Sequence, residues 1–293
     1  MSDTILKIQD LNVEFPVFGG IFQREISHVH AVKNVTMNIT MGKTIGVVGE
    51  SGSGKSTLGK AIINVLRLTA PDVRVSGNIL LNSNEGKQIN VLDIEPSQIK
   101  SYRSDVQMIF QDPYSSLNPR MLVSDIIREP LDINTDLTTI EKNDRVDWLL
   151  HKVGLSKEQG NRYPHEFSGG QRQRIAIARS LSTKPRIIIA DEPVSALDVS
   201  IQAQVINLMM DLQEEMNLTI IFIAHDLSVV KHISTDISVM YLGEVVEMGD
   251  TKTVFNKPQH DYTKTLLKSI PHPDPIGREA RKEERLKLKK YNM

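Results

Sequence analysis

Apolar and polar positions alternate along residues 5–13, 31–39 and 75–81, the period of half-buried strands, and these segments are predicted to form an antiparallel layer. Residues 44–48, Thr-Ile-Gly-Val-Val, read instead as a short buried strand, with helix-forming residues at 58–66 behind it. From Asp112 to Arg179 the pattern turns mostly helical, with amphipathic stretches at 123–129 and 140–153. The single tryptophan, Trp148, recurs with Leu149 and Val153 at helical spacing, which points to packing rather than to a ligand platform. Strands and helices then alternate: strand 186–190, helix 200–216, strand 219–224, helix 227–233 and a closing hairpin over 236–246 around Leu242-Gly243. Such βα alternation predicts a parallel sheet covered by helices.

Chemistry enters at the joint between the strand at 44–48 and the helix behind it, where Gly49-Glu50-Ser51-Gly52-Ser53-Gly54-Lys55-Ser56-Thr57 stands. Glycines at a strand-to-helix turn let successive backbone N–H groups approach phosphate oxygens, reinforced by the positive end of the helix. Lys55 is then in register to reach the β and γ phosphates, and the Ser56 hydroxyl to ligate Mg²⁺. A ligand-free glycine turn is the competing reading, and the Lys-Ser pair in register argues against it. Phe167-Ser168-Gly169-Gly170-Gln171 precedes the helical run 172–181, so Ser168 sits at an N-cap and the glycines bare further donors at a helix start. Alone, that pattern reads equally well as a turn with a cap. Residues 186–193 follow as an apolar strand ending in Asp191-Glu192-Pro193; carboxylates there suit metal and water chemistry beside bound phosphates, or else cap a helix.

The order phosphate loop, Ser168-Gly169-Gly170-Gln171, Asp191-Glu192 resembles the ATP-binding cassette (ABC) ATPases. The resemblance implies an α/β P-loop NTPase fold with a parallel core sheet, an antiparallel β subdomain and a helical insertion over about 112–180. It assigns Asp191 to Mg²⁺, Glu192 to activating the attacking water as general base, and Gln111 to the metal and that water. His225 matches the histidine that senses the γ phosphate, and Ser195-Ala196-Leu197-Asp198 the loop that contacts a second subunit. Ser168, Gly169, Gly170 and Gln171 would meet ATP held by the partner's loop, and Phe22 is the choice over Phe15 and Phe18 for stacking adenine. Within the family, Ser116-Leu117-Asn118-Pro119-Arg120-Met121, Asn161-Arg162-Tyr163-Pro164-His165-Glu166 and Pro258-Gln259-His260-Asp261-Tyr262-Thr263 look like the ATPases of oligopeptide and dipeptide importers. The cassette is expected at 5–256 and a subgroup-type extension at 257–293, ending in a Lys- and Arg-rich run where relatives continue into a cysteine-bearing segment.

Expected partners are a second ABC ATPase subunit, alike or different, two membrane permease subunits and an extracytoplasmic peptide-binding protein, with ATP and Mg²⁺ as cofactors. The surface near 113–121 would press on the permease. Peptides, nickel chelates and other small solutes all stay open as cargo. A formal net charge of −1 gives no general pull toward nucleic acid, and no window approaches the twenty or so apolar residues of a spanning helix. The chain is expected at the cytoplasmic face of the membrane, held there by its partners. Cysteine is absent, which excludes disulfides and Cys-ligated metal. A soluble ABC ATPase acting on DNA or ribosomes would be expected to show paired cassettes, coiled-coil insertions or basic patches, and a small-molecule kinase would have no use for Ser168 to Gln171 or His225.

Overall fold

The computed structural model describes residues 4–19, 24–83 and 87–269. The first part of the chain runs β1 (Thr4–Gly19), β2 (Arg24–Thr40), β3 (Thr44–Val48), α1 (Lys55–Ile62), α2 (Leu66–Thr69), β4 (Arg74–Asn82) and β5 (Gln88–Asn90). The middle holds α3 (Ile99–Asp105), β6 (Val106–Ile109), α4 (Pro113–Ser116), α5 (Val123–Asn134), α6 (Thr139–Lys152) and α7 (Gly169–Ser180). Then come β7 (Ile187–Asp191), α8 (Val199–Met216), β8 (Thr219–Ala224), α9 (Leu227–Ile233), β9 (Asp236–Tyr241), β10 (Glu244–Asp250), α10 (Thr251–Asn256) and α11 (Asp261–Lys268).

Two sheets organise these elements. The antiparallel one has strand order β2-β1-β4-β5; the central one has order β10-β9-β3-β8-β7-β6 and is parallel except for the β9–β10 hairpin. Period-2 alternation sorts the central strands between two cores. Ile187, Ile189, Ile221 and Ile223 face the antiparallel layer, while Ile188, Ala190, Ile220 and Phe222 face the helical side with α5, α6 and α7. Being apolar on both faces, these strands show the continuous apolar runs expected of a covered parallel sheet. Trp148 is half-buried against the helical core, with the Arg145 guanidinium 4.3 Å from its ring centroid.

Two expectations need correcting. Residues 16–19 and 24–28, which lie outside the strands predicted at 5–13 and 31–39, extend the β1–β2 hairpin: Pro16 pairs with His28, Val17 with Ser27 and Gly19 with Arg24. Both faces of that tip meet solvent, Ile26 being 68% and Val29 55% exposed, so burial imposes no alternation that a sequence pattern could reveal. The helix expected over 58–66 starts earlier, at Lys55 directly after the glycine turn, and breaks at Ile62 before a separate short turn of helix.

Candidate functional site

The carboxyl ends of β3, β6, β7 and β8 lie side by side because those strands run parallel in one sheet, and the phosphate loop, Gln111, Asp191, Glu192 and His225 sit at these ends. Gly49 follows β3 and Gly54 immediately precedes α1. The glycines are required for different reasons. At Gly54, φ is +102° and a Cβ would stand 2.1 Å from the Ala31 carbonyl oxygen; at Gly49 it would stand 2.1 Å from that of Met240. Gly52 has φ +82° but open space around it. The loop is therefore pressed against β2 and β9 from behind, and Gly52 borders free volume. Lys55 is buried, and its Nζ donates to the carbonyls of Gly49 (2.8 Å) and Glu50 (2.7 Å). Burial pushes its pKa down, opposed by the charges of Glu192, Asp191 and Glu50.

Asp191 ends β7, and its Oδ1 accepts the Ser56 hydroxyl at 2.8 Å. Burial pushes its carboxyl pKa up, against the Ser56 hydrogen bond. A hydroxyl and a carboxylate oxygen side by side form a hard-donor pair that fits Mg²⁺. At Glu192 the chain turns sharply, with φ +46°, uncommon for a residue other than glycine. That turn carries the side chain to its neighbours: Glu192 Oε2 accepts the Gln111 amide at 2.9 Å and lies 3.3 Å from His225 Nδ1. The structure thus brings Gln111, Glu192 and His225 together from three adjacent strand ends, with Ser56 and Asp191 alongside.

Ser168 to Gln171 do not join this group within one chain. Ser168 Oγ accepts the Gln171 N–H and Gln171 Oε1 accepts the Ser168 N–H, a closed capping box at the start of α7. Gly170 is needed for packing, since a Cβ there would lie 2.5 Å from Ile201 of α8, whereas the nearest atom to a Cβ at Gly169 is Tyr114 Oη at 3.4 Å. Asp198 precedes α8 with its side chain exposed. Phe22 lies outside the described residues. Of its alternatives, Phe15 packs on the core of the antiparallel layer and Phe18 is 46% exposed.

One contact escaped sequence reasoning. The Tyr262 hydroxyl of α11 accepts the Glu50 N–H at 3.0 Å, so the segment after the cassette touches the phosphate loop. Its ring lies on Tyr241, centroids 4.1 Å apart, and Glu247 fixes the start of α11 by accepting the Gln259 and His260 N–H groups at 2.8 and 3.0 Å. Residues 212 apart leave no local pattern that could announce such a bond; only the presence of Tyr262 in a motif-like stretch was visible.

Comparison with known proteins bears on this geometry. A profile described as "ABC transporter" matches residues 32–195, and one described as "Oligopeptide/dipeptide transporter, C-terminal region" matches 246–292. The chain is 48% identical over 288 residues to the oligopeptide transport ATP-binding protein AppF of Bacillus subtilis, covering 98% of this chain and 84% of that protein. Against the dipeptide transport ATP-binding protein DppF of Lactococcus lactis it is 53% identical over 252 residues, 86% of this chain and 78% of that one. The glutathione import ATP-binding protein GsiA of Pectobacterium atrosepticum is 44% identical over 95% of this chain, which spans only 43% of that longer protein. Among solved structures, CbiO1 of Clostridium perfringens, part of an ABC transporter complex, superposes with TM-score 0.69 at 30% identity over 87% of this chain and 92% of its own. The dimeric ATP-binding cassette MJ0796 bound to ADP and phosphate gives the same TM-score at 26% identity, over 84% of this chain and 99% of its own. With the phosphate loop, the paired carboxylates and both profile matches in one chain, this protein belongs to the ABC transporter ATP-binding subunits and is an ATPase of that family.

Proposed function

We propose that this chain hydrolyses ATP to power import of oligopeptides or dipeptides through a membrane permease, with each ATP held between two cassettes. The observation that carries the catalytic part is the meeting of Gln111, Glu192 and His225 beside the Ser56–Asp191 pair. The peptide cargo is carried by the likeness to AppF and DppF and by the match at 246–292.

In this reading residues 49–57 cradle the phosphates, and Lys55 leaves the Gly49 and Glu50 carbonyls for the β and γ oxygens. Ser56, Asp191 and Gln111 would hold Mg²⁺, which when bound would supply charge neutralisation at the phosphates. Glu192 takes the proton from the attacking water, with the Gln111 amide orienting its carboxylate. His225, its side chain 60% exposed, is free to turn from Glu192 toward the γ phosphate. The Ser168–Gln171 helix start and Asp198 serve the site of the second cassette, which is why one chain does not gather them.

ABC cassettes dimerise and work with membrane permeases, and the described residues contain no helix long and apolar enough to cross a membrane. We place this one at the cytoplasmic face, bound to two permease subunits through the surface near 113–121, where Tyr114 is 58% exposed. An extracytoplasmic binding protein selects the peptide, and nucleic acid is not a partner. The test is ATP turnover by the chain alone and with permease, partner cassette and peptide-loaded binding protein. Turnover should rise steeply only in the assembly, and Glu192→Gln should abolish it while ATP binding persists. Full turnover by Glu192→Gln in that assembly would overturn the catalytic assignment; indifference to the permease would overturn the transport assignment.

A further inference from the structure

The β1–β2 hairpin carries a group of side chains apart from the Gln111–Glu192–His225 cluster and the Ser56–Asp191 pair. His28 and His30 stand two apart on β2 and so share a face of the strand, and Glu14 of β1 pairs directly with His30. One ligand atom from each of the three lies within 4.8 Å of the others. The two imidazoles have centroids 4.7 Å apart, and His30 Nε2 is 3.6 Å from Glu14 Oε1. That separation is too long for a hydrogen bond. It is close to the roughly 3.4 Å between two ligand atoms that share a tetrahedral ion at about 2.1 Å each. The cation nearest in register, Arg74, is turned away to Glu25 at 2.5 Å, so Glu14 does not spend its charge on it.

We infer that Glu14, His28 and His30 form a surface site for a divalent transition metal, zinc first, separate from the Mg²⁺ chemistry at the nucleotide. Two imidazoles and one carboxylate suit a borderline metal rather than the hard, oxygen-seeking Mg²⁺. Three protein ligands leave at least one coordination position to water. The ion would tie β1 to β2 at the base of their exposed tip. Only Ala31 separates His30 from the core residue Val32, and the Ala31 carbonyl is the atom against which Gly54 of the phosphate loop is pressed. The site therefore lies one residue from the backbone that braces the loop.

The experiment titrates Zn²⁺ into the full chain after chelator treatment, in the absence of nucleotide, by competition with a chromophoric chelator. Co²⁺ replaces Zn²⁺ in a parallel titration so that its visible absorption reports coordination geometry. One tight equivalent should bind, and His28→Gln, His30→Gln and Glu14→Gln should each weaken it by roughly tenfold or more. None of the three side chains is buried, so such changes are tolerated, and circular dichroism verifies folding of each variant. His225→Gln, at the catalytic cluster, should leave the tight equivalent in place. Zinc binding that is absent below about 100 μM would overturn the inference. So would binding that survives all three hairpin substitutions, or that is lost with His225→Gln alone.

Discussion

Removing one oxygen atom tests whether the segment after the cassette sets nucleotide affinity. Tyr262→Phe deletes the hydroxyl that accepts the Glu50 N–H but keeps the ring on Tyr241. A neutral hydrogen bond contributes about 1 kcal/mol net, and water can replace this one because Glu50 is exposed. If the bond holds the loop in the form that receives phosphate, losing it shifts the held-to-released ratio by about fivefold. Apparent affinity falls by the competent fraction, so Kd for ADP should rise between about two- and fivefold, with little change in turnover at saturation. Calorimetric titration with Mg-ADP reads the first, and steady-state hydrolysis in the assembled transporter the second. Tyr262→Ala also strips the aromatic contact and should lower stability further, by an extra ~1 kcal/mol, read as a lower melting temperature. An unchanged Kd in Tyr262→Phe alongside a lower melting temperature would refute the argument, leaving the contact a tether of α11. A tighter Kd would refute it in the other direction, since the hydroxyl would then be competing with nucleotide for the amide.

Asp191→Asn should destroy turnover yet raise the melting temperature of the nucleotide-free chain at pH 7. Burial raises the Asp191 pKa, so the folded state binds its proton more tightly than the unfolded chain, and stability falls as pH rises from the unfolded carboxylate value near 4 up through the raised folded value. The gain should therefore shrink as pH is lowered through that range, and a lower melting temperature at pH 7 would contradict it. Gly54→Ala should abolish nucleotide binding, because its φ of +102° and the Ala31 carbonyl both forbid a Cβ; Gly52→Ala faces open space and should cost only the left-handed backbone penalty of about 1–2 kcal/mol. Equal nucleotide affinities of the two variants would show that steric fit to the protein is not what selects these glycines. Gln173 is fully buried in α7 with neither amide atom hydrogen-bonded, so Gln173→Met should stabilise the fold by about 1–3 kcal/mol, read by chemical denaturation.

Legibility followed burial. β3, β7 and β8 appear at or within one residue of the bounds read from the sequence because both faces are covered, which makes them unbroken apolar runs. The hairpin tip did not appear because Pro16 to Gly19 and Arg24 to His28 bury too little for solvent to impose a pattern, although their backbones pair, with a register shift between Val17 and Phe18. The site residues were legible as motifs, and their meeting follows from the sheet order β8-β7-β6, which sets the ends carrying His225, Glu192 and Gln111 next to one another. The reason for each glycine was only half legible: at Gly49, Gly54 and Gly170 the obstacle is this protein's own backbone or a packed isoleucine. Contacts made over long separations, such as the Tyr262 hydroxyl with the Glu50 N–H, have no sequence signature at all.

The left-handed turn at Glu192 ties these observations together. A non-glycine residue persists there only if its surroundings fix it. The Glu192 N–H donates to the Ile223 carbonyl of β8, and the Glu192 carbonyl accepts both the N–H and the hydroxyl of Ser195. Gln202 of α8 then donates to the carbonyls of Val194 and Leu197, and the Asp198 carbonyl accepts the Ile201 and Gln202 N–H groups. Residues 192–198 are thereby one hydrogen-bonded turn, with the carboxylate at one end and the exposed Asp198 at the other. A second cassette pressing on Asp198 would act on the same turn that aims Glu192, so the strained backbone at the carboxylate and the surface proposed for the partner are mechanically continuous within seven residues.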